Sequence, residues 1–134
     1  MGQSEIVSRK KKTDSDLRQV LNDIKKIMGV YYEVFNIYSD EITLCAHPTE
    51  EQLEEIRKSI RALGYSYVKT EEKLEYFIGK EEDYFVTEIY KKGIKTLGLV
   101  YIRYEFPLRK TFQLKDIYVE YDFRFLKPIK LISK

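Results

Sequence analysis

Only two stretches of this 134-residue chain place apolar residues at helical spacing, and nearly everything else alternates with a period of two. Leu17, Val20, Leu21, Ile24, Ile27 and Met28 form one stripe, which Thr13 can cap with Asp16 three residues on, and which Gly29 stops. Thr49, with Gln52 at the capping-box position, opens a second stripe of Leu53, Ile56, Ile60 and Leu63 that ends at Gly64. Glu50 and Glu51 in its first turn suit the positive end of the helix dipole.

The remainder predicts about seven strands. After Gly29, "VYYEVFNIY" and "EITLCAH" flank a short Ser39-Asp40 connection. After Gly64, "YSYVKT" and "LEYFIG" flank Glu71-Glu72-Lys73, which predicts a second hairpin turn. "YFVTEIYKK", "TLGLVYIRYEF" and "KDIYVEYDFRF" follow, with Pro107 and Pro128 closing the last two. In the final stretch Ile117, Val119, Tyr121, Phe123 and Phe125 share one face, a row too apolar for water and so expected as core or interface. The opposite row, Tyr118, Glu120, Asp122 and Arg124, mixes both signs.

The order α-β-β-α-β-β-β-β-β predicts an α+β domain whose two amphipathic helices pack on a strongly twisted, mainly antiparallel sheet. T-x-x-D-L-x-x-V from Thr13 and T-x-x-Q-L-x-x-I from Thr49 each precede a strand pair, so a duplicated helix-hairpin unit is one reading of this order. Two helices about 10 Å wide cannot cover seven strands spaced about 4.8 Å apart. Tyr32 and Val34 against Phe35 and Ile37, and Val86 and Tyr90 against Phe85 and Ile89, carry apolar groups on both faces. The excess requires either a sheet curled toward a barrel or a partner chain over it.

Charge is unevenly distributed along the chain. Residues 1–29 carry +3, residues 30–90 carry −8 and residues 91–134 carry +7, for a net +2. Residues 1–12, ending in Arg9, Lys10, Lys11 and Lys12, read as a flexible basic arm ahead of a single domain at 13–134. Such segregation gives separate acidic and basic surfaces provided the fold does not interleave the segments. The apolar N-terminal run of a signal peptide and any 18-residue apolar window are missing, and Cys45 is the single cysteine, so a cytoplasmic, disulfide-free protein without membrane association is expected. Two Asn and four Gln beside abundant Lys, Glu, Ile and Tyr fit a thermophile-like composition.

No phosphate-binding, dinucleotide or zinc-protease motif is present, and no cofactor or metal is expected. Cys45 and His47 share a predicted face and offer half a metal site, or a nucleophile and base without an oxyanion hole. Glu71-x-Lys73 has a spacing used by metal-dependent nucleases but lacks a matched upstream acid. The remaining acidic clusters, Glu50-Glu51, Glu54-Glu55 and Glu81-Glu82-Asp83, fall where solvated charge costs least.

Basic residues make a fuller pattern. Arg9, Lys10, Lys11 and Lys12 on the arm, Lys91, Lys92, Lys95, Arg109 and Lys110 around predicted strand ends, and Lys127 and Lys130 near the C-terminus are placed to follow phosphates. Tyr31, Tyr65, Tyr101 and Tyr118 share faces with charged groups and, if exposed, would stack bases. The expected function is a non-enzymatic binding module, with sequence-independent DNA or RNA binding as the leading reading. Self-assembly or a protein partner over an exposed sheet face is the alternative, and a metal-dependent nuclease or Cys/His hydrolase a distant third.

Overall fold

The computed structural model describes residues 12–76, 82–106 and 109–123. Two helices, α1 (Ser15–Met28) and α2 (Glu50–Ala62), accompany six strands: β1 (Tyr32–Ile37), β2 (Glu41–Ala46), β3 (Ser66–Tyr76), β4 (Glu82–Lys92), β5 (Lys95–Phe106) and β6 (Arg109–Tyr121). The strands form one antiparallel sheet in the order β1-β2-β6-β5-β4-β3. The sheet is open, with β1 and β3 as its edges, so of the two alternatives for the excess apolar surface the closed barrel is not the one adopted.

The expected second helix start is observed. Thr49 Oγ1 accepts from the Gln52 N–H at 3.1 Å, and Gln52 Oε1 accepts from the Thr49 N–H at 2.9 Å. The first helix is capped differently. Asp14, one residue beyond the expected Thr13, accepts from the N–H groups of Asp16 and Leu17 at 2.9 and 3.2 Å, because a charged carboxylate serves the orphan donors better than a hydroxyl. Gly29 ends α1 at φ 67°, a left-handed conformation that an L side chain rarely adopts.

Among the described residues, six strands replace the expected seven. Glu71, Glu72 and Lys73 are not a turn but lie mid-strand, where they pair with Thr87, Val86 and Phe85 of β4. Three consecutive polar residues resemble a turn, yet none of them is Gly, Pro, Asn or Asp, and no positive φ is needed there. The duplicated unit does not carry through. The pair after α2 is 11 residues per strand against six after α1, and the matched threonines do not serve the same capping role.

Both helices cover one sheet face and share a single core with it. Leu17, Val20, Ile24, Leu53, Ile56 and Ile60 meet Ile42 and Leu44 of β2, Ile117 of β6, Leu97 and Leu99 of β5, and Val86 and Tyr90 of β4. Each fully buried aliphatic side chain here contributes about 1.5–3 kcal/mol. The apolar row at the end of β6 splits. Ile117 and Val119 enter this core, whereas Tyr121 and Phe123 run past the edge of the helical layer, stack on each other at 6.0 Å and stay 44% and 56% exposed. Phe125 lies outside the described residues.

One carboxylate interrupts the buried row of β4. Glu88, 4% exposed between Val86 and Tyr90, receives Arg57 from α2 through Nε at 3.0 Å and Nη2 at 2.7 Å, Tyr90 Oη at 2.7 Å and Tyr101 Oη at 2.6 Å. Burial alone would raise Glu88, but these hydrogen bonds outweigh it and hold the carboxyl below its ordinary range. Replacing Glu88 with Ala leaves Arg57 and two tyrosine hydroxyls without their common acceptor. Glu88→Ala is expected to lose about 3–5 kcal/mol of unfolding free energy in a urea titration.

Candidate interaction surfaces

A second polar cluster fastens the start of α1 to the β4-β5 turn. Asp14 Oδ2 accepts from Lys95 Nζ at 2.7 Å and Tyr121 Oη at 2.5 Å. Asp16 Oδ2 accepts from Lys92 Nζ, Lys95 Nζ and Tyr65 Oη, each at 2.8 Å. Burial opposes ionisation of Asp16, but Lys92, Lys95 and Tyr65 prevail and hold it down to about 2. Lys92 also donates to the Leu63 carbonyl at 3.1 Å, closing the C-terminal end of α2.

Lys92 and Lys95, expected as phosphate contacts, therefore already face carboxylates within the fold. Lys12 and Lys91 are exposed. Arg109 and Lys110 open β6 at the far end of the sheet from Lys95, which pairs in register with Tyr121. Arg9, Lys10, Lys11, Lys127 and Lys130 lie outside the described residues.

The expected tyrosine platform is not assembled. Tyr65 and Tyr101 are buried, with their hydroxyls on Asp16 and Glu88, and of the four candidates only Tyr31, 78% exposed, is open to solvent. Tyr118 lies half-buried across Gly98, where an added Cβ would stand 2.2 Å from its Cζ. Gly98→Ala displaces that ring and is expected to cost about 1–3 kcal/mol in thermal or urea unfolding. Most of this loss should vanish on a Tyr118→Ala background.

The sheet face opposite the helices carries a mixture of half-buried groups. Phe85, Ile89 and Val100 provide its apolar part, and Thr43, Cys45, Gln113 and Asp116 its polar part. Cys45 Sγ accepts from Gln113 Nε2 at 3.4 Å, while His47 is exposed just beyond the end of β2. With Tyr31, Tyr32 and Glu33, Cys45 and His47 line an open hollow of about 490 Å³, and among the described residues no carboxylate is hydrogen-bonded to His47. Among the described residues no three His, Cys, Asp or Glu side chains group to hold a metal ion, and no helix is long and apolar enough to cross a membrane. Glu71 and Lys73 lie on the same side of β3, both exposed.

The two edges differ in character. Around β1, Val30, Tyr31, Phe35, Ile37 and Tyr38 are each more than half exposed, and the register shifts between Val34 and Asn36 so that Phe35 bulges. β3 is exposed at every residue from Ser66 to Lys73 and, after one shift between Tyr67 and Lys69, pairs with β4 without interruption to Tyr76.

Sequence reasoning missed two charged sites, Glu88 and Asp116. For Glu88 the signal was present: a lone acid in the buried alternation Val86-Glu88-Tyr90 demands a cation, and Arg57 flanks the apolar stripe of α2 beside Ile56 and Ile60. Asp116 gave no such signal, since its position on the uncovered face became meaningful only beside Glu41 of the neighbouring strand. The sequence matches no family model, and comparison with curated proteins found no significant match.

Burial and the adjacent Glu41 carboxylate push Asp116 up to about 8. A carboxyl raised in the fold stabilises it fully below the ordinary aspartate value, and this contribution fades as pH rises through about 8. Asp14, Asp16 and Glu88 act in the opposite sense, since their lowered values give stability above the ordinary carboxylate range that is lost on acidification. The unfolding midpoint of the native chain should therefore carry a component from Asp116 that falls as pH rises from the ordinary aspartate value of 3.8 to about 8, while Asp116→Asn shows a flatter profile across that window and keeps the loss on acidification that Asp14, Asp16 and Glu88 cause.

Proposed function

We propose that this domain is a non-enzymatic interaction module that binds protein, including copies of itself, through the uncovered parts of its sheet. The observation that supports this reading best is that among the described residues the six-stranded sheet ends in two edge strands without an outer neighbour, one of them fringed by Val30, Tyr31, Phe35, Ile37 and Tyr38. Large apolar side chains beside unpaired backbone groups are suited to strand addition or to a groove partner. The half-buried Phe85, Ile89 and Val100 on the helix-free face extend the same surface.

Sequence-independent nucleic-acid binding is the second reading, favoured by the exposed Lys12 and Lys91 and by the basic ends of the chain. It is the weaker of the two because Lys92 and Lys95 are engaged by Asp14 and Asp16, and Tyr65 and Tyr101 are buried. Sedimentation over a concentration series, paired with titration of a short single-stranded oligonucleotide at low and high salt, separates them. Self-association with at most weak oligonucleotide binding is the expected result. A strict monomer whose oligonucleotide affinity falls steeply with salt and with deletion of residues 1–12 would replace it with the second reading.

A further inference from the structure

The long edge strand β3 carries charge in an order that makes it complementary to itself. Lys69, Glu71 and Lys73 alternate in sign on the face opposite the helices, and the register with β4 puts Glu75 on that same face. A second β3 laid antiparallel alongside, with a twofold axis through Glu72, sets Glu71 opposite Lys73 of the copy and Lys69 opposite Glu75 of the copy. Each pairing occurs twice by symmetry. Centring the axis on residue 71 would instead oppose Lys69 to Lys73, and centring it on residue 73 would oppose Glu71 to Glu75.

We propose that β3 is the docking strand for a second copy of this chain, joining two sheets into one of twelve strands with all four helices on one side. This rests on the interaction reading above and names its partner and register. Antiparallel neighbours about a twofold keep each residue opposite one from the same face, so the alternation of β3 reads directly as an alternation of cross-strand pairs. Among the described residues no strand pairs with the outer side of β3, Ser66 to Lys73 are exposed, and no register shift interrupts the strand from Lys69 to Tyr76.

Charge on an edge strand ordinarily discourages pairing. That function needs only like signs facing each other, whereas here reversal of the strand brings unlike signs together. The one like-charged meeting, Glu72 with Glu72 of the copy, falls on the helix side of the sheet, where Arg103 Nη2 stands 2.9 Å from each Glu72 carboxylate. Lys69 and Glu71, 3.1 Å apart within the strand and each 60% exposed, remain open to a partner. The opposite edge is less suited, being six residues long and bulged at Phe35.

Two single substitutions test both the edge and its register. Glu71→Lys sets lysine against Lys73 of the copy, and Lys73→Glu sets glutamate against Glu71 of the copy. Each alone should weaken the dimer by about tenfold or more in sedimentation equilibrium. An equimolar mixture of the two variants, and the double variant E71K/K73E, should both return to the dimer of the native chain. Circular dichroism of each variant reports folding, and recovery in the mixture shows that both are competent to pair. Self-association that ignores all of these substitutions would overturn the β3 pairing while leaving the broader interaction reading in place. A native chain that stays monomeric at every concentration would overturn both as applied to self-assembly.

Discussion

The ion pair between Arg57 of α2 and Glu88 of β4 governs how the two layers of this protein meet. A carboxylate 4% exposed in an apolar row is costly unless its lone pairs are met, and here guanidinium and two tyrosine hydroxyls from three elements converge on it. The bonds are directional in a way that hydrophobic contact is not. They anchor α2 to β4, with Tyr101 of β5 completing the group, while Leu53, Ile56 and Ile60 supply the non-directional part of the attachment. At the sheet edge next to β4, β3 is exposed from Ser66 to Lys73, and among the described residues no strand pairs with its outer side.

The Asp14 and Asp16 cluster performs the corresponding task for α1. It joins the helix start to Lys92, Lys95, Tyr65 and Tyr121, so that the chain reversal between β4 and β5 is tied to the first turn of α1. Three of these side chains, Lys92, Lys95 and Tyr65, looked available to an external phosphate or base and are thereby committed within the fold. The strand order acts on charge in the same direction. β5 and β6, from the basic end of the chain, lie between β2 and β4, from its acidic middle, so the charge blocks seen along the chain are interleaved across the sheet. What survives at the surface is short-range alternation of sign, clearest on β3.

Much of the architecture was legible because it depends on local grammar. The capping box at Thr49 and Gln52, the stop at Gly29 and the Ser39-Asp40 connection involve residues close in sequence, whose preferred backbone conformations do not require the rest of the fold. Glu71-Glu72-Lys73 misled for the converse reason. A polar triplet in an exposed edge strand has the same composition as a polar turn, and only pairing with Phe85, Val86 and Thr87 distinguishes the two. Tyr65 and Tyr101 misled similarly, since tyrosine is equally at home stacked in water or buried with its hydroxyl bonded to a carboxylate.

By itself the sequence determined two capped amphipathic helices, a preponderance of antiparallel strand and more apolar sheet surface than two helices can cover. Periodicity and capping are properties of residues a few positions apart, so they can be read before any folding. The tertiary structure decided which strands became edges, which charges became internal partners and which remained outside. Those outcomes depend on pairs such as Arg57 with Glu88 and Asp16 with Lys95, separated by 31 and 79 positions along the chain. Nothing local specifies such a meeting, and it follows only once strand order and helix placement bring the two side chains within bonding distance.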